Sequence, residues 1–243
     1  MRPRLIPVLL LDRDRRLVKT LRFRERTYVG DPFNVLRLFN EKEVDEICIL
    51  DIDATPDRRA PDLGYISELA SECFMPLSYG GGLCDVSVCE QIGRAGVEKF
   101  VIGAQADNLE LLTAMRDSFG SQAVVACLDY SGSIAIDRTA TGSAGSLADR
   151  ARRVVDAGAG ELILQSIDRD GTRGGMDLQT IAVISAAVDS PVVALGGAGE
   201  THHLMDALRV GASAAASGSA FTFIGRLRAV LINYPDGGQY PYA

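Results

Sequence analysis

"DEICILDIDAT" at residues 45–55 and "GELILQSIDRDGT" at residues 160–172 decide how this chain folds. Each is an apolar run too short for a helix, and each breaks into aspartates and turn residues, as a buried strand does at its end. Each has a glutamate in second place, Glu46 and Glu161, and the two lie 115 positions apart. The same spacing separates Pro76 in "MPLSYGGG" from Pro191 in "SPVVALGG", Gly81 from Gly196, and Gly96 from Gly211. One offset kept across four elements signals an internal duplication.

Outward from these segments, strand-like and helix-like runs alternate to both ends. "LIPVLLL", "EICILDI", "PLSYGG", "KFVIGA", "AVVACLDY", "ELILQSI", "PVVALGG" and "SAAASGS" are short, apolar and followed by turn residues. Between most of them, stretches such as "DPFNVLRLFNEKEV" and "GSLADRARRVVDAG" carry apolar residues at helical spacing, with Asp31-Pro32 and Ser146 as helix starts. Strands alternating with helices call for a parallel sheet, and eight such units close into a (β/α)8 TIM barrel. An open doubly wound sheet is the alternative, but it gives no account of the duplication. The expectation is one barrel domain over residues 1–243, made of two homologous half-barrels at about 1–119 and 120–230, with a turn-rich tail at 231–243.

Composition narrows the function. A chain of 243 residues with 47% hydrophobic and 23% charged residues supports one large core. A formal net charge of −7 disfavours nucleic acid as a partner. The basic residues are uneven, however: Arg13, Arg15, Arg16, Lys19, Arg22, Arg24 and Arg26 crowd one short segment, which reads either as a solvated edge or as a dock for an anionic ligand. Five cysteines are odd in number and lack zinc-site spacing, so a reducing, cytoplasmic setting is expected, without metal or cofactor. No segment approaches the ~20 apolar residues of a membrane helix, and the arginines before "LIPVLLL" lead to no small-residue cleavage site.

In such barrels chemistry gathers at the C-terminal ends of the strands. Two glycine-rich strand ends recur across the repeat, Gly80, Gly81 and Gly82 in the first half and Gly196, Gly197 and Gly199 in the second. Each is followed by a helix and then by a strand ending in small residues, Gly103 and Ala104 or Gly218 and Ser219. Glycine lets backbone N–H groups approach an anion, and a helix N-terminus adds a favourable dipole. Turns also need glycine, but recurrence at one offset favours two symmetric phosphate sites. The strand-end carboxylates are Asp51, Asp53, Asp129, Asp168 and Asp170; any is a candidate acid or base, and several are expected to be loop caps. Asp129 follows "AVVACL" and belongs at the mouth. Its counterpart on the first strand falls on Leu10, or on Leu11 if the loop is placed differently, and leucine moves no protons.

At the opposite face Arg4, Glu46, Lys99 and Glu161 stand at or near the starts of four strands. They read as ordinary flanking charge or as a ring of ion pairs around the axis. A partly desolvated ring is costly unless its members pair, so its presence would point to function over stability. His202 and His203, the only histidines, stand at a helix start, where capping or a surface role is expected.

Together "GDP", "DEICILDIDAT", "YGGG", "FGSQAVVACLD", "GAGELIL", "SIDRDGT" and "GGAG" resemble the cyclase subunit of imidazole glycerol phosphate synthase, over nearly the whole chain from Arg4 to about Gly225. The resemblance implies a glutaminase partner on the N-terminal face, ammonia crossing the barrel interior, and a phosphate-binding mouth. It implies an ammonia gate of Arg4, Glu46, Lys99 and Glu161, a catalytic Asp129, and Lys19 as the lysine of the first loop. For a phosphorylated ligand it implies Gly81, Gly82, Gly103, Asp170, Gly171, Gly196, Gly197, Gly218 and Ser219.

The departures are as informative. The family's strand-one aspartate is Leu10, the polar pair after strand four is Gly103 and Ala104, and hydroxyl positions on strands six and seven are Gln165 and Leu195. The pattern is similar to a divergent branch associated with acetamidino modification of sugars in bacterial surface polysaccharides. That implies a separate sugar amidotransferase and a nucleotide-activated sugar. Three readings stay open: an ammonia-conducting barrel with little cyclase activity, a genuine cyclase with Asp12 or Asp14 standing in for the missing acid, and a non-catalytic scaffold holding an anionic sugar through Lys19 and the arginines. The half-barrel isomerase of histidine biosynthesis is a more distant fourth.

Overall fold

A computed structural model of the chain describes residues 3–132, 134–136, 143–225 and 229–235. Its organising feature is a ring of eight parallel strands: β1 (Arg4–Leu11), β2 (Ile47–Asp51), β3 (Leu77–Gly80), β4 (Lys99–Ile102), β5 (Val124–Ser131), β6 (Glu161–Ser166), β7 (Val192–Leu195) and β8 (Ala214–Ser217). Each pairs with the next, and β8 pairs with β1 to close the ring. This is the expected (β/α)8 barrel. Strand β1 is long enough to be shared: Arg4–Pro7 lie against Ala214–Ser217, and Val8–Leu11 lie against Cys48–Asp51.

Why the strand segments read as unbroken apolar runs follows from this geometry. A strand in such a ring is buried on both faces, so alternation by polarity disappears and only alternation by direction remains. Along β1, Leu5, Leu9 and Leu11 pack outward under the helices, while Ile6, Val8 and Leu10 point into the ring. The interior set is completed by Cys48, Leu50, Val101, Val125, Cys127, Ile163, Val193, Leu195, Ala214 and Ala216.

Among the described residues seven helices cover the ring: α1 (Pro32–Glu41), α2 (Leu63–Ser71), α3 (Val86–Arg94), α4 (Leu109–Phe119), α5 (Leu147–Ala157), α6 (Leu178–Ala187) and α7 (Thr201–Arg209). The Asp31-Pro32 start is real: Asp31 caps α1 by accepting from the Asn34 N–H, and Pro32 takes the first turn, where no N–H is needed. Ser146 does precede α5, yet its side chain makes no capping bond. Gly160, just before β6, is fixed by proximity. A β-carbon there would stand 2.2 Å from the Ser121 carbonyl oxygen, closer than any side chain tolerates.

Three excursions leave the ring. After β1 a hairpin of Leu17–Leu21 and Glu25–Gly30 lies across the C-terminal mouth. After β5 a ribbon of Ile134–Ile136 and Ser143–Ser146 is fastened by Arg150, which donates to the Ile136 carbonyl at 2.8 Å and pairs with Asp107. After β8, Phe223–Ile224 pairs with Ala229–Val230. The expected tail is described only to residue 235, the rest lying outside the described residues. Its Tyr234 hydroxyl sits 2.9 Å from the Leu5 carbonyl oxygen and 2.8 Å from an Asp45 carboxylate oxygen, so this part of the tail reaches the N-terminal end of the barrel.

Candidate functional site

The N-terminal end of the barrel axis is closed by four side chains. Glu46 accepts from the Arg4 guanidinium and from Lys99 Nζ at 2.8 Å; Glu161 accepts from the other arm of Arg4 and from Lys99 Nζ at 2.9 Å. Each carboxylate is thus bridged by both cations, and the square is neutral as a whole. The Ser78 hydroxyl adds a bond to the free oxygen of Glu46 at 3.2 Å. The glutamate side chains are 4% and 7% exposed and the two cations about a fifth. Burial alone pulls the Arg4 pKa down, but Glu161 and Glu46 outweigh it and hold it above its ordinary value. All four residues come together because they occupy inward positions at the bases of β1, β2, β4 and β6.

Above this collar the interior is apolar, and it opens into a cavity of about 1030 Å³ at the C-terminal mouth. Leu10 lines that cavity together with Leu50, Gln165 and Leu195. The side chain pointing inward at the tip of β1 is therefore a leucine. Asp129 is buried on β5, in register with Gln165. Neither Asp12 nor Asp14 lines the mouth. Asp12 accepts from the Arg16 and Asp14 backbone N–H groups and from the Arg16 guanidinium. Burial works against its charge, but Arg16 outweighs burial and keeps its pKa below the usual carboxylate range. Asp14, exposed, also pairs with Arg16.

The other strand-end carboxylates hold loops. Asp51 is gripped by Arg59 at 2.8 Å. Asp53 accepts both arms of Arg26 at 2.7 and 2.6 Å and the Arg13 N–H at 3.0 Å, and the Arg26 bond keeps its pKa low. Asp168 accepts from the Ser131 hydroxyl and the Gly132 N–H. The arginine-rich segment is in good part neutralised this way, by Asp12, Asp53, Asp57 and Asp62. His203 accepts the Gly199 N–H at 3.3 Å, and burial lowers its pKa; His202 sits 3.3 Å from Glu200 on the surface.

Lys19 reaches from the hairpin down into the barrel, where Nζ donates to the Val8 carbonyl at 2.6 Å. Burial lowers its pKa to about 7, against a raising contribution from Asp170. Asp170 in turn is pushed upward by burial, although Thr20 Oγ1 at 2.7 Å and the Phe23 N–H at 3.1 Å donate to it. The Asp170-Gly171 turn is thereby packed under the hairpin. A β-carbon on Gly171 would stand 2.0 Å from the Thr20 carbonyl oxygen, and its φ is +67°. Gly171→Ala is expected to lift the hairpin and speed tryptic cleavage after Arg22 and Arg24 by about tenfold, given ~1–3 kcal/mol of strain. An unchanged cleavage rate would show that the turn does not hold the hairpin.

The remaining glycines face the same mouth. Gly81, Gly82 and Gly103 line its first-half side, and Gly196, Gly197, Gly218 and Ser219 its second-half side. Three contacts here lie beyond sequence reasoning: Asp53 with Arg26, Arg150 with Asp107, and Ser217, whose hydroxyl accepts the N–H groups of Ser219 and Ala220. Only the last had a local signal, a serine two residues before the N–H it caps. Among the described residues no cluster of three or more His, Cys, Asp or Glu is placed to hold a metal ion, and no helix is long and apolar enough to cross a membrane.

A family model described as "Histidine biosynthesis protein" matches residues 4–227. A chain of Leptospira borgpetersenii is 42% identical over 98% of this chain and 96% of its own length, and bears the provisional name imidazole glycerol phosphate synthase subunit HisF. This chain belongs to the HisF family. Another HisF relative, from Pseudomonas aeruginosa, is 46% identical over 97% of this chain and 96% of its own; its name, also provisional, is imidazole glycerol phosphate synthase subunit hisF2. A third, from Caulobacter vibrioides, is 36% identical over 93% and 90% and is named imidazole glycerol phosphate synthase subunit HisF without reservation. The HisF membership of this chain accounts for the barrel and its glycine-rich mouth.

Proposed function

We propose that this HisF-family barrel is the ammonia-conducting subunit of a glutamine amidotransferase complex, with its own cyclase chemistry reduced or absent. A glutaminase docks on the N-terminal face, ammonia enters through Arg4, Glu46, Lys99 and Glu161, and it leaves at the C-terminal mouth for a sugar amidotransferase acting on a nucleotide-activated sugar of surface polysaccharide. The observation that carries this reading is the pairing of a closed ionic collar with an inward Leu10 at the far end. An apolar shaft passes neutral ammonia far more cheaply than ammonium, whose unpaired charge is heavily penalised. A missing acid at a two-carboxylate site removes a contribution of about 10²–10⁴ in rate.

The test is glutamine-dependent amidination with glutaminase and sugar amidotransferase, run with and without the barrel. Product should form only when all three are present. Full glutamine-dependent activity in the absence of the barrel would reject the proposal.

A genuine cyclase of histidine biosynthesis is the second reading, favoured by the buried Asp129 and by the name of the Caulobacter relative. Turnover of the histidine-pathway intermediate with ammonium salt, at the ~10 s⁻¹ typical of enzymes, would establish it in place of the first.

A further inference from the structure

We propose that the hairpin tip and the loop after β2 form the surface on which the ammonia-receiving protein docks, and that this partner presents an acidic edge to Arg22, Arg24 and Arg58. The inference rests on the conduit reading and starts from what that reading requires at the exit. Ammonia released into open water at neutral pH takes up a proton and ceases to be a nucleophile, so its receiver has to close over the mouth. The rim of the cavity is therefore the contact surface. Its arginines divide into two groups. Arg13, Arg15, Arg16 and Arg26 are held by Asp57, Asp62, Asp12 and Asp53. Arg22 and Arg24 are exposed, and among the described residues neither guanidinium has an ion-pair or hydrogen-bond partner. Phe23, between them, lines the cavity, so the two arginines flank its opening. Arg58, exposed and equally unpaired, lines it from the loop after β2.

Glu25, exposed beside Arg24, offsets one of these charges, and three guanidiniums against one carboxylate leave a surplus of two, in a chain whose formal net charge is −7. The tip is also fixed in an unusual backbone. Arg22 and Phe23 have φ of +51° and +60°, the left-handed region where glycine or asparagine is usual. Asp170 holds them there: its carbonyl accepts the Arg22 N–H at 3.0 Å and its carboxylate the Phe23 N–H at 3.1 Å. A surface fixed before contact loses less conformational freedom on binding. Tyr28, 60% exposed on a strand that pairs on one side only, supplies the aromatic that accompanies arginine at protein interfaces. Exposed guanidiniums hold a small free anion weakly, because water competes for each bond. An acidic protein edge gathers several such pairs at once, and they speed and orient its docking.

The experiment measures association of the barrel alone with the sugar amidotransferase by biolayer interferometry. Arg22→Glu/Arg24→Glu should weaken it at least about tenfold, chiefly through a slower on-rate, and flatten its salt dependence. Arg22→Gln/Arg24→Gln, which removes the charges without reversing them, should fall between this variant and the unaltered protein, and it decides the matter if the glutamate variant does not fold. Arg94→Glu/Arg209→Glu makes the same change of charge in the last turns of α3 and α7, at the far end of the barrel, and should leave affinity unchanged. No association of the unaltered barrel, no loss in the hairpin variants, or an equal loss in the far-end variant would overturn the proposal. So would saturable binding of uridine diphosphate to the isolated barrel that disappears in the hairpin variants, since the arginines would then form a nucleotide site. If amidination proceeds fully without the barrel, the conduit reading falls; if it needs the barrel but the hairpin variants associate normally, only the docking surface does.

Discussion

Replacing Arg4 by methionine is expected to cost the barrel about 3 kcal/mol of unfolding free energy, the loss that follows when one partner of a buried ion pair is removed. The collar holds two carboxylates and two cations, and without Arg4 its two nearly buried glutamates share Lys99 alone. The cost is set at the low end of the usual range because Arg4 keeps a fifth of its side chain in solvent. Urea unfolding of the single variant measures it. The paired variant Arg4→Met/Glu161→Leu restores neutrality, with Lys99 facing Glu46, and should recover at least half of the loss. A double variant no more stable than the single one would mean that the four groups do not act as a unit.

Lys19→Met is expected to stabilise the protein at neutral pH and to lose that advantage in alkali. The folded amine has its pKa lowered to about 7 by burial, against 10.5 for the ordinary side chain. Below pH 7 both states come to carry the proton, and the folded state then bears the full penalty of a buried charge. Between 7 and 10.5 only the unfolded chain keeps the proton, so the contribution of Lys19 to stability rises with pH across that window. At ~1.4 kcal/mol for each pH unit the ceiling on the penalty is about 5 kcal/mol, and about 2–4 kcal/mol is expected after relaxation. The thiols of Cys48, Cys73 and Cys89, raised by desolvation to about 12, also titrate in alkali but are common to both proteins and cancel in the difference. Unfolding of the two proteins at pH 6.5 and pH 10 is the measurement. A stability gap that stays constant between them would contradict the account.

The first experiment concerns residues whose height along the barrel the sequence sets, and the reason is geometric; Lys19, on the hairpin, follows no such count. Strands in a ring are short and uniform, so a residue's height and direction follow from counting by twos along an apolar run. Counting from Arg4 through Ile6 and Val8 puts Leu10 inside, and counting from Glu161 through Ile163 puts Gln165 inside as well. The same count sets Arg4, Glu46, Lys99 and Glu161 near the strand starts, but spacing alone leaves ordinary flanking charge and a ring equally open, and it is the family resemblance that points to the ring. Loops obey no such period. Nothing in the spacing of Asp53 and Arg26 announces that they meet, since the hairpin must fold back across the mouth before they do. Asp12 illustrates the converse. It lies one residue past β1 on the sequence, near enough to be a substitute acid, yet Arg16 four residues on claims it for the turn.

The sharing of β1 between two neighbours bears on how the molecule comes into being. Because residues 4–7 find their ring partners only at 214–217, the ring stays unsealed until the eighth strand has left the ribosome. Until then the nascent chain is a curling sheet with two raw margins, and the lower half of its first strand waits with its backbone groups unmatched. The last strand supplied is the one that turns a sheet into a tube.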